Sequence, residues 1–211
     1  MESIVNIEQQ NWFSTPLWDL DCEVSLGEIR SLVKKIHKKD PEGAKLTNIG
    51  GWQSKAYPNV CSKYENDYGI AKEMKPLIEF LNNVADACAK QIEIPNDLKL
   101  QNFWFNVNEF KDHNTLHNHR GSLISGVLYL ITPEDSGAIS FQRTDLDLDY
   151  YLPEDLKKRN AFTGTSFTIS PKQGKILMFP SWFKHSVEPN NSRNKRISMS
   201  FNYGVATQDD I

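Results

Sequence analysis

Within residues 195–203, Lys-Arg-Ile-Ser-Met-Ser-Phe-Asn-Tyr, polar and apolar side chains alternate without a break from Arg196 onward. Successive side chains on a strand point to opposite faces. Arg196, Ser198, Ser200 and Asn202 therefore share one face, and Ile197, Met199, Phe201 and Tyr203 share the other. The same period appears in Phe103, Phe105 and Val107, set against Trp104, Asn106 and Asn108. Further strand candidates are 123–131, 138–143, 166–169 and 175–179, separated by Gly, Pro, Asn and Asp.

Before residue 96 the period is helical. Ser25-Leu26-Gly27-Glu28 reads as a capping box, followed by Leu26, Ile29, Leu32, Val33 and Ile36 at helical spacing. A second helix is expected over 70–92, with Ile70, Met74, Leu77, Ile78, Leu81, Val84, Ala85 and Cys88 on one face. Two apolar stripes need a partner surface, and a sheet supplies it. The expected fold is mainly β with helices (α+β): a double-stranded β-helix, a cupin-like jelly roll, backed by N-terminal helices. No linker or repeat divides the chain, so 1–211 is expected to be a single domain, with 1–95 a helical support region and 96–205 the jelly-roll core. The connection 144–165 has no strand pattern and carries Asp145, Asp147, Asp149, Tyr150 and Tyr151; its length suggests a lid or binding loop.

Charge narrows the function. Lys plus Arg number 24 and Asp plus Glu 27, for a net charge of −3, which argues against a nucleic-acid or anionic-membrane binder. Eleven Phe, seven Tyr and five Trp are enough for a real core. No apolar run approaches the roughly 18–20 residues of a spanning helix, and the first residues lack a secretory pattern. Cys22, Cys61 and Cys88 are too scattered for a disulfide framework or zinc knuckle. A soluble cytoplasmic protein is expected, or one of the host cytoplasm if phage-encoded.

Four of the five histidines, His113, His117, His119 and His185, lie in the β-rich half. His117 and His119 are two apart, so on a strand or its extended exit both rings face one side. A third imidazole from a distant strand would complete three facial ligands with open metal positions, suited to iron, zinc or copper. Arg196, on an interior face, requires an anion, and its planar fork matches a carboxylate, with Ser198 as a second donor. His37, within Lys-Lys-Ile-His-Lys-Lys, reads as part of a solvated helix face, and His113 as exposed.

His117-x-His119, the 125–130 run Ser-Gly-Val-Leu-Tyr-Leu, Pro171-x-x-Gly174, His185 and Arg196-x-Ser198 together resemble the Fe(II)/2-oxoglutarate-dependent oxygenases. Gly50-Gly51-Trp52-Gln53-Ser54, the 103–106 strand and the Phe179-Pro180-Ser181-Trp182 turn are similar to a branch found in marine bacteria and their phages. The resemblance spans roughly 12–204. It implies Fe(II), 2-oxoglutarate and O₂ as cofactor and co-substrates, with His117 and His185 as iron ligands. The family's usual third ligand is a carboxylate two residues after the first histidine, where this chain has His119. His119 is the favoured third ligand; Asp112 and water remain alternatives. Arg196 would take the distal carboxylate of 2-oxoglutarate with Ser198, and Asn106, Asn108, Ser125 and Tyr129 could face the same cavity. The substrate, a small molecule or a peptidyl side chain, would lie between the 144–165 loop and the Gly50–Ser54 segment, near Tyr150, Gln53 and Trp182. No nucleic-acid or membrane partner is expected. Two rivals stay open: a cupin-type three-His dioxygenase without 2-oxoglutarate, and a non-catalytic jelly-roll binding or virion protein.

Overall fold

The structure, a computed structural model, describes residues 7–58, 70–94, 98–145, 147–153 and 156–205. In chain order the first half contributes β1 (Trp18–Asp21), α1 (Gly27–Lys39), β2 (Asn48–Ile49), β3 (Trp52–Gln53), β4 (Tyr57–Pro58) and α2 (Ile70–Gln91). The second half contributes β5 (Leu98–Asn108), β6 (His113–His117), β7 (Ile124–Ile131), β8 (Ile139–Gln142) and α3 (Leu148–Tyr151). It ends with β9 (Ser166–Ile169), β10 (Lys175–Pro180), β11 (Lys184–Val187) and β12 (Arg196–Val205).

The strands form two antiparallel sheets. The larger runs β1-β10-β7-β12-β5-β3, with β4 also on β5, and the smaller runs β2-β6-β11-β8-β9. The expected jelly roll is thus present. The 1–95 segment, expected as a helical support region, supplies β1, β2, β3 and β4 besides its helices. Three of these are only two residues long, too short for a periodic signal.

The two helices cover the outer face of the larger sheet. Ile29, Leu32, Val33 and Ile36 of α1 and Met74, Leu77, Leu81, Ala85 and Cys88 of α2 share one core with Phe103, Phe105, Met199, Phe201 and Tyr203. The Tyr203 hydroxyl donates to Asn82 Oδ1 at 2.9 Å, tying β12 to α2. Ile70 belongs to α2, but its side chain and Cys61 lie outside the described residues. Cys22 and Cys88 are free thiols, and burial pushes that of Cys88 up to about 11.

Two local expectations need correction. The capping box does not form: Leu26, not Ser25, is the cap residue of α1, already in helical conformation, and makes no side-chain capping bond. Ser25 is left one position outside the helix, out of reach of the amide that a box requires. His37 does not sit on a solvated face but stacks on Trp52, ring centroids 4.4 Å apart, and burial lowers its pKa. Trp52 is held in turn by its indole N–H donating to the Asp40 carbonyl at 2.7 Å.

The inner faces of the two sheets enclose a second, smaller core of Val127, Tyr129, Ile139, Phe141, Leu177, Phe179 and Phe183. Beside it, polar side chains of β5 and β12 line a cavity. The alternation of β12 thus has a direct cause: its apolar face meets the helices and its polar face meets the cavity.

Gly126 marks where this layering is tightest. It pairs with Phe201 across the ladder, and a Cβ there would meet the Phe201 ring at 2.5 Å and the Leu177 carbonyl oxygen at 2.9 Å. Gly126→Ala is expected to lower unfolding free energy by about 1–3 kcal/mol, the usual range for overpacking. Urea denaturation measures it, and an unchanged midpoint would show that β7 and β12 do not pack this closely.

Candidate metal centre

His117 and His185 are brought together by strand register. His117 closes β6, His185 is the second residue of β11, and the two are direct partners across the antiparallel ladder, with ring centroids 4.3 Å apart. His119 lies two residues beyond the end of β6, where no ladder holds it. Its backbone N–H instead donates to the Ser181 carbonyl at 2.9 Å, in the turn that leads into β11. Its Nε2 lies 3.3 Å from His185 Nε2. One ring nitrogen from each of the three lies within 4.8 Å of the others. Two imidazole nitrogens sharing one metal at 2.0–2.1 Å are roughly 3.0–3.5 Å apart, so the His119–His185 pair already has a coordinating separation.

The backbone selects the nitrogens that face inward. His117 Nδ1 lies 2.7 Å from the Thr115 carbonyl oxygen, and His185 Nδ1 lies 2.9 Å from that of Phe183. A carbonyl only accepts, so each Nδ1 carries the proton and each Nε2 presents a lone pair. Burial lowers the pKa of all three rings, to about 4 for His119 and about 3 for His185, and for these two the neighbouring histidine charges act in the same direction. Neutral imidazoles at ordinary pH are what a metal requires. The residues fit a divalent cation. Asp112 is not among them: its Oδ2 accepts the Glu109 amide N–H at 2.6 Å, away from the cluster.

At the opposite end of the cavity stands Arg196, only 2% exposed. Its Nη1 donates to the carbonyls of Ser136 and Gly137, the latter at 3.1 Å, while its Nη2 is buried without a hydrogen-bond partner. An orphaned guanidinium N–H costs free energy unless an acceptor reaches it. Among the described residues lining the cavity there is no Asp or Glu, and Arg196 is the only one with a permanent charge. Ser198 and Tyr129 lie on adjacent strands as register partners and line the same space. Burial raises the Tyr129 phenol well above its ordinary pKa, which keeps it a donor. An acidic ligand small enough to enter would satisfy all three.

Of the other residues singled out by sequence, Asn106 and Asn108 line the cavity. Ser125 does not; it is buried and bonded to Ser181 and Asn202. His113, expected to be exposed, is half-buried at the start of β6, opposite Ile49. The three candidate substrate residues are outside the cavity lining. Trp182 is 52% exposed on the β10–β11 turn, Tyr150 is 86% exposed on α3, and Gln53 is 5% exposed on β3 opposite Asn106. The Gly50–Ser54 segment likewise supplies no lining residue. Trp104, Asn114 and Thr47 do line the cavity and were not anticipated as site residues. The alternation with Asn106 could have identified Trp104, whereas Thr47 carries no local signal. Trp104 lies beside His119, ring centroids 5.6 Å apart.

Residues 102–202 match a family model described as "Putative 2OG-Fe(II) oxygenase". Among solved structures, the chain is similar to a prolyl-4-hydroxylase of Pseudomonas putida, at 15% identity and a TM-score of 0.59, covering 90% of this chain and 93% of that one. It is similar to a prolyl hydroxylase of Trichoplax adhaerens solved with a peptide fragment of hypoxia inducible factor, at 12% identity and a TM-score of 0.62, covering 89% and 83%. It also resembles SnoK, a non-heme alpha-ketoglutarate-dependent carbocyclase from nogalamycin biosynthesis, at 14% identity and a TM-score of 0.63, covering 92% and 81%. At these identities the structures establish a shared fold. Comparison with curated protein sequences gives no match. The matched span holds the three histidines and Arg196, so the chain is similar to that family through the residues that build the site.

Proposed function

We propose that this protein is an Fe(II)- and 2-oxoglutarate-dependent dioxygenase that hydroxylates an unactivated C–H bond, on an amino acid or a peptidyl side chain, with release of succinate and CO₂. The observation that carries this reading is the pairing, in one cavity with no acid among its described lining residues, of three converging neutral imidazoles with a buried guanidinium whose Nη2 is unsatisfied. The match to the oxygenase family model supports Fe(II) and 2-oxoglutarate as the groups to be held, with O₂ as oxidant. The similarity to the prolyl hydroxylases of Pseudomonas putida and Trichoplax adhaerens supports a side-chain substrate.

The roles follow from position. His117, His119 and His185 would hold the iron through ring nitrogens. Bound iron and 2-oxoglutarate would supply O₂ activation coupled to oxidative decarboxylation. Arg196 would bind the distal carboxylate of the co-substrate through its free Nη2, assisted by the hydroxyls of Ser198 and Tyr129. Asn106 lies between the two ends of the cavity, and Val127, Ile139 and Phe179 give it apolar walls that limit water. No protein nucleophile or general base is needed. A three-His dioxygenase without an oxo-acid would leave the Arg196 charge unexplained. Among the described residues no helix is long and apolar enough to cross a membrane.

Two sets of variants test the assignment. His185→Ala is expected to abolish metal binding and succinate formation. Arg196→Ala is expected to keep the metal but to raise the 2-oxoglutarate concentration for half-maximal succinate formation about thirtyfold or more, the cost of removing one partner of a buried charge pair. An unaltered 2-oxoglutarate requirement would rule out Arg196 as the anchor.

Position 119 has its own test. Three neutral ligands leave the full charge of a divalent cation uncompensated in the cavity that also holds Arg196. His119→Asp supplies a carboxylate and is expected to tighten Mn(II) binding, measured by titration without co-substrate. Indifference to this change would mean that residue 119 is not a ligand.

A further inference from the structure

Four buried or half-buried polar side chains form a hydrogen-bonded file that the proposed chemistry does not use. Ser181 and Ser125 hydroxyls lie 2.7 Å apart, Ser125 Oγ donates to Asn202 Oδ1 at 2.8 Å, and Asn202 Nδ2 donates to Asn102 Oδ1 at 2.9 Å. The Ser125 hydroxyl has one proton, given to Asn202, so the proton between the serines belongs to Ser181. Ser125, Ser181 and Asn202 are buried, and none of the four lines the cavity. Buried hydroxyls and amides give less stability than apolar side chains of equal volume, so their presence in a packed sheet calls for a reason.

The file ends on the turn that carries two of the three histidine restraints. Ser181 N–H donates to the Leu123 carbonyl at 2.9 Å, and the Ser181 carbonyl accepts the His119 N–H at 2.9 Å. Phe183 N–H closes the turn on the Pro180 carbonyl at 2.9 Å, and the Phe183 carbonyl takes the Nδ1 proton of His185. The backbone of one short turn, 180–183, therefore sets both the place of His119 and the orientation of the His185 ring. Phe183 packs its ring into the second core, and among the described residues the turn's side-chain hydrogen bond to the larger sheet is that of the Ser181 hydroxyl to Ser125. His119 has no ladder bond of its own. The remaining ties of its segment are the Leu123 N–H to the Tyr203 carbonyl at 2.8 Å and two bonds to Gln101, from its Nε2 to the Gly121 carbonyl and from Ser122 Oγ to its Oε1.

We propose that Ser181, Ser125 and Asn202 are positioning residues that fix the spacing of His119 and His185 by anchoring the 180–183 turn to β7 and β12. The proposal rests on the metal-binding reading of the three histidines. Its consequence is that metal affinity and coordination geometry depend on hydroxyls that touch neither metal nor substrate.

The test uses Co(II), whose visible absorption reports coordination geometry. Wild-type protein, Ser125→Ala and the double variant Ser125→Ala/Ser181→Ala are titrated with Co(II) and melted. Ser125→Ala strands the Ser181 proton in the interior and lowers the melting temperature. The double variant removes both hydroxyls and regains much of that loss, because no donor is left unsatisfied. Both variants are expected to bind Co(II) about tenfold more weakly, in the range seen when a group orienting a ligand is removed, with a shifted Co(II) spectrum. A purely structural role predicts a different pattern: in the double variant, affinity and spectrum return to wild type along with the melting temperature. That result, or an unchanged spectrum in both variants, overturns the proposal. Failure of the wild-type protein to bind Co(II) would instead remove the metal-centre reading itself.

Discussion

Two backbone carbonyls decide what kind of site this fold can present. By taking the Nδ1 protons of His117 and His185, Thr115 and Phe183 fix both rings in the tautomer that turns a bare Nε2 inward. The antiparallel register then places those nitrogens across from one another. Burial keeps the rings neutral. A lone-pair donor cluster thus exists before any ligand arrives, and the cost of ordering it has been met by folding rather than by binding.

The far end of the cavity obeys a complementary logic. Arg196 has two backbone carbonyls for one of its nitrogens and nothing for another. Buried charge without a counter-ion is tolerated where a ligand completes it. With no carboxylate among the described lining residues, a divalent cation and Arg196 would together carry a charge of about +3, by simple addition. A dianionic oxo-acid with one end on each of them offsets most of that charge. The same count gives position 119 its importance: a histidine there supplies no negative charge to offset the cation.

Much of this was readable in the amino-acid order, for identifiable reasons. The 195–203 alternation was informative because β12 is buried on both sides by different things, helices on one and the polar cavity on the other. The two-residue spacing of His117 and His119 and the distant His185 sufficed to suggest convergence. What local pattern could not supply was contact between remote segments. β6 and β11, which carry His117 and His185, are short and polar and show no alternation. His37 lies in a basic run that looks solvated, yet Trp52, fifteen positions on, covers it. Ser125 has the right parity for the cavity, but its hydroxyl is committed to Ser181 and Asn202. Trp182, Tyr150 and Gln53 lie in the sequence motifs and the 144–165 loop, whereas the described cavity is lined by other residues, including Trp104.

The central claim is that one cation and one oxo-acid occupy a single cavity together, with the acid chelating the metal at one end and meeting Arg196 at the other. Anaerobic titration of the metal-free protein with Fe(II) and 2-oxoglutarate tests this most directly. The account predicts a visible charge-transfer absorption that needs both additions and saturates at one equivalent of each. Tight Fe(II) binding with no such absorption at saturating 2-oxoglutarate would contradict it, leaving a three-histidine metal site of a different chemistry.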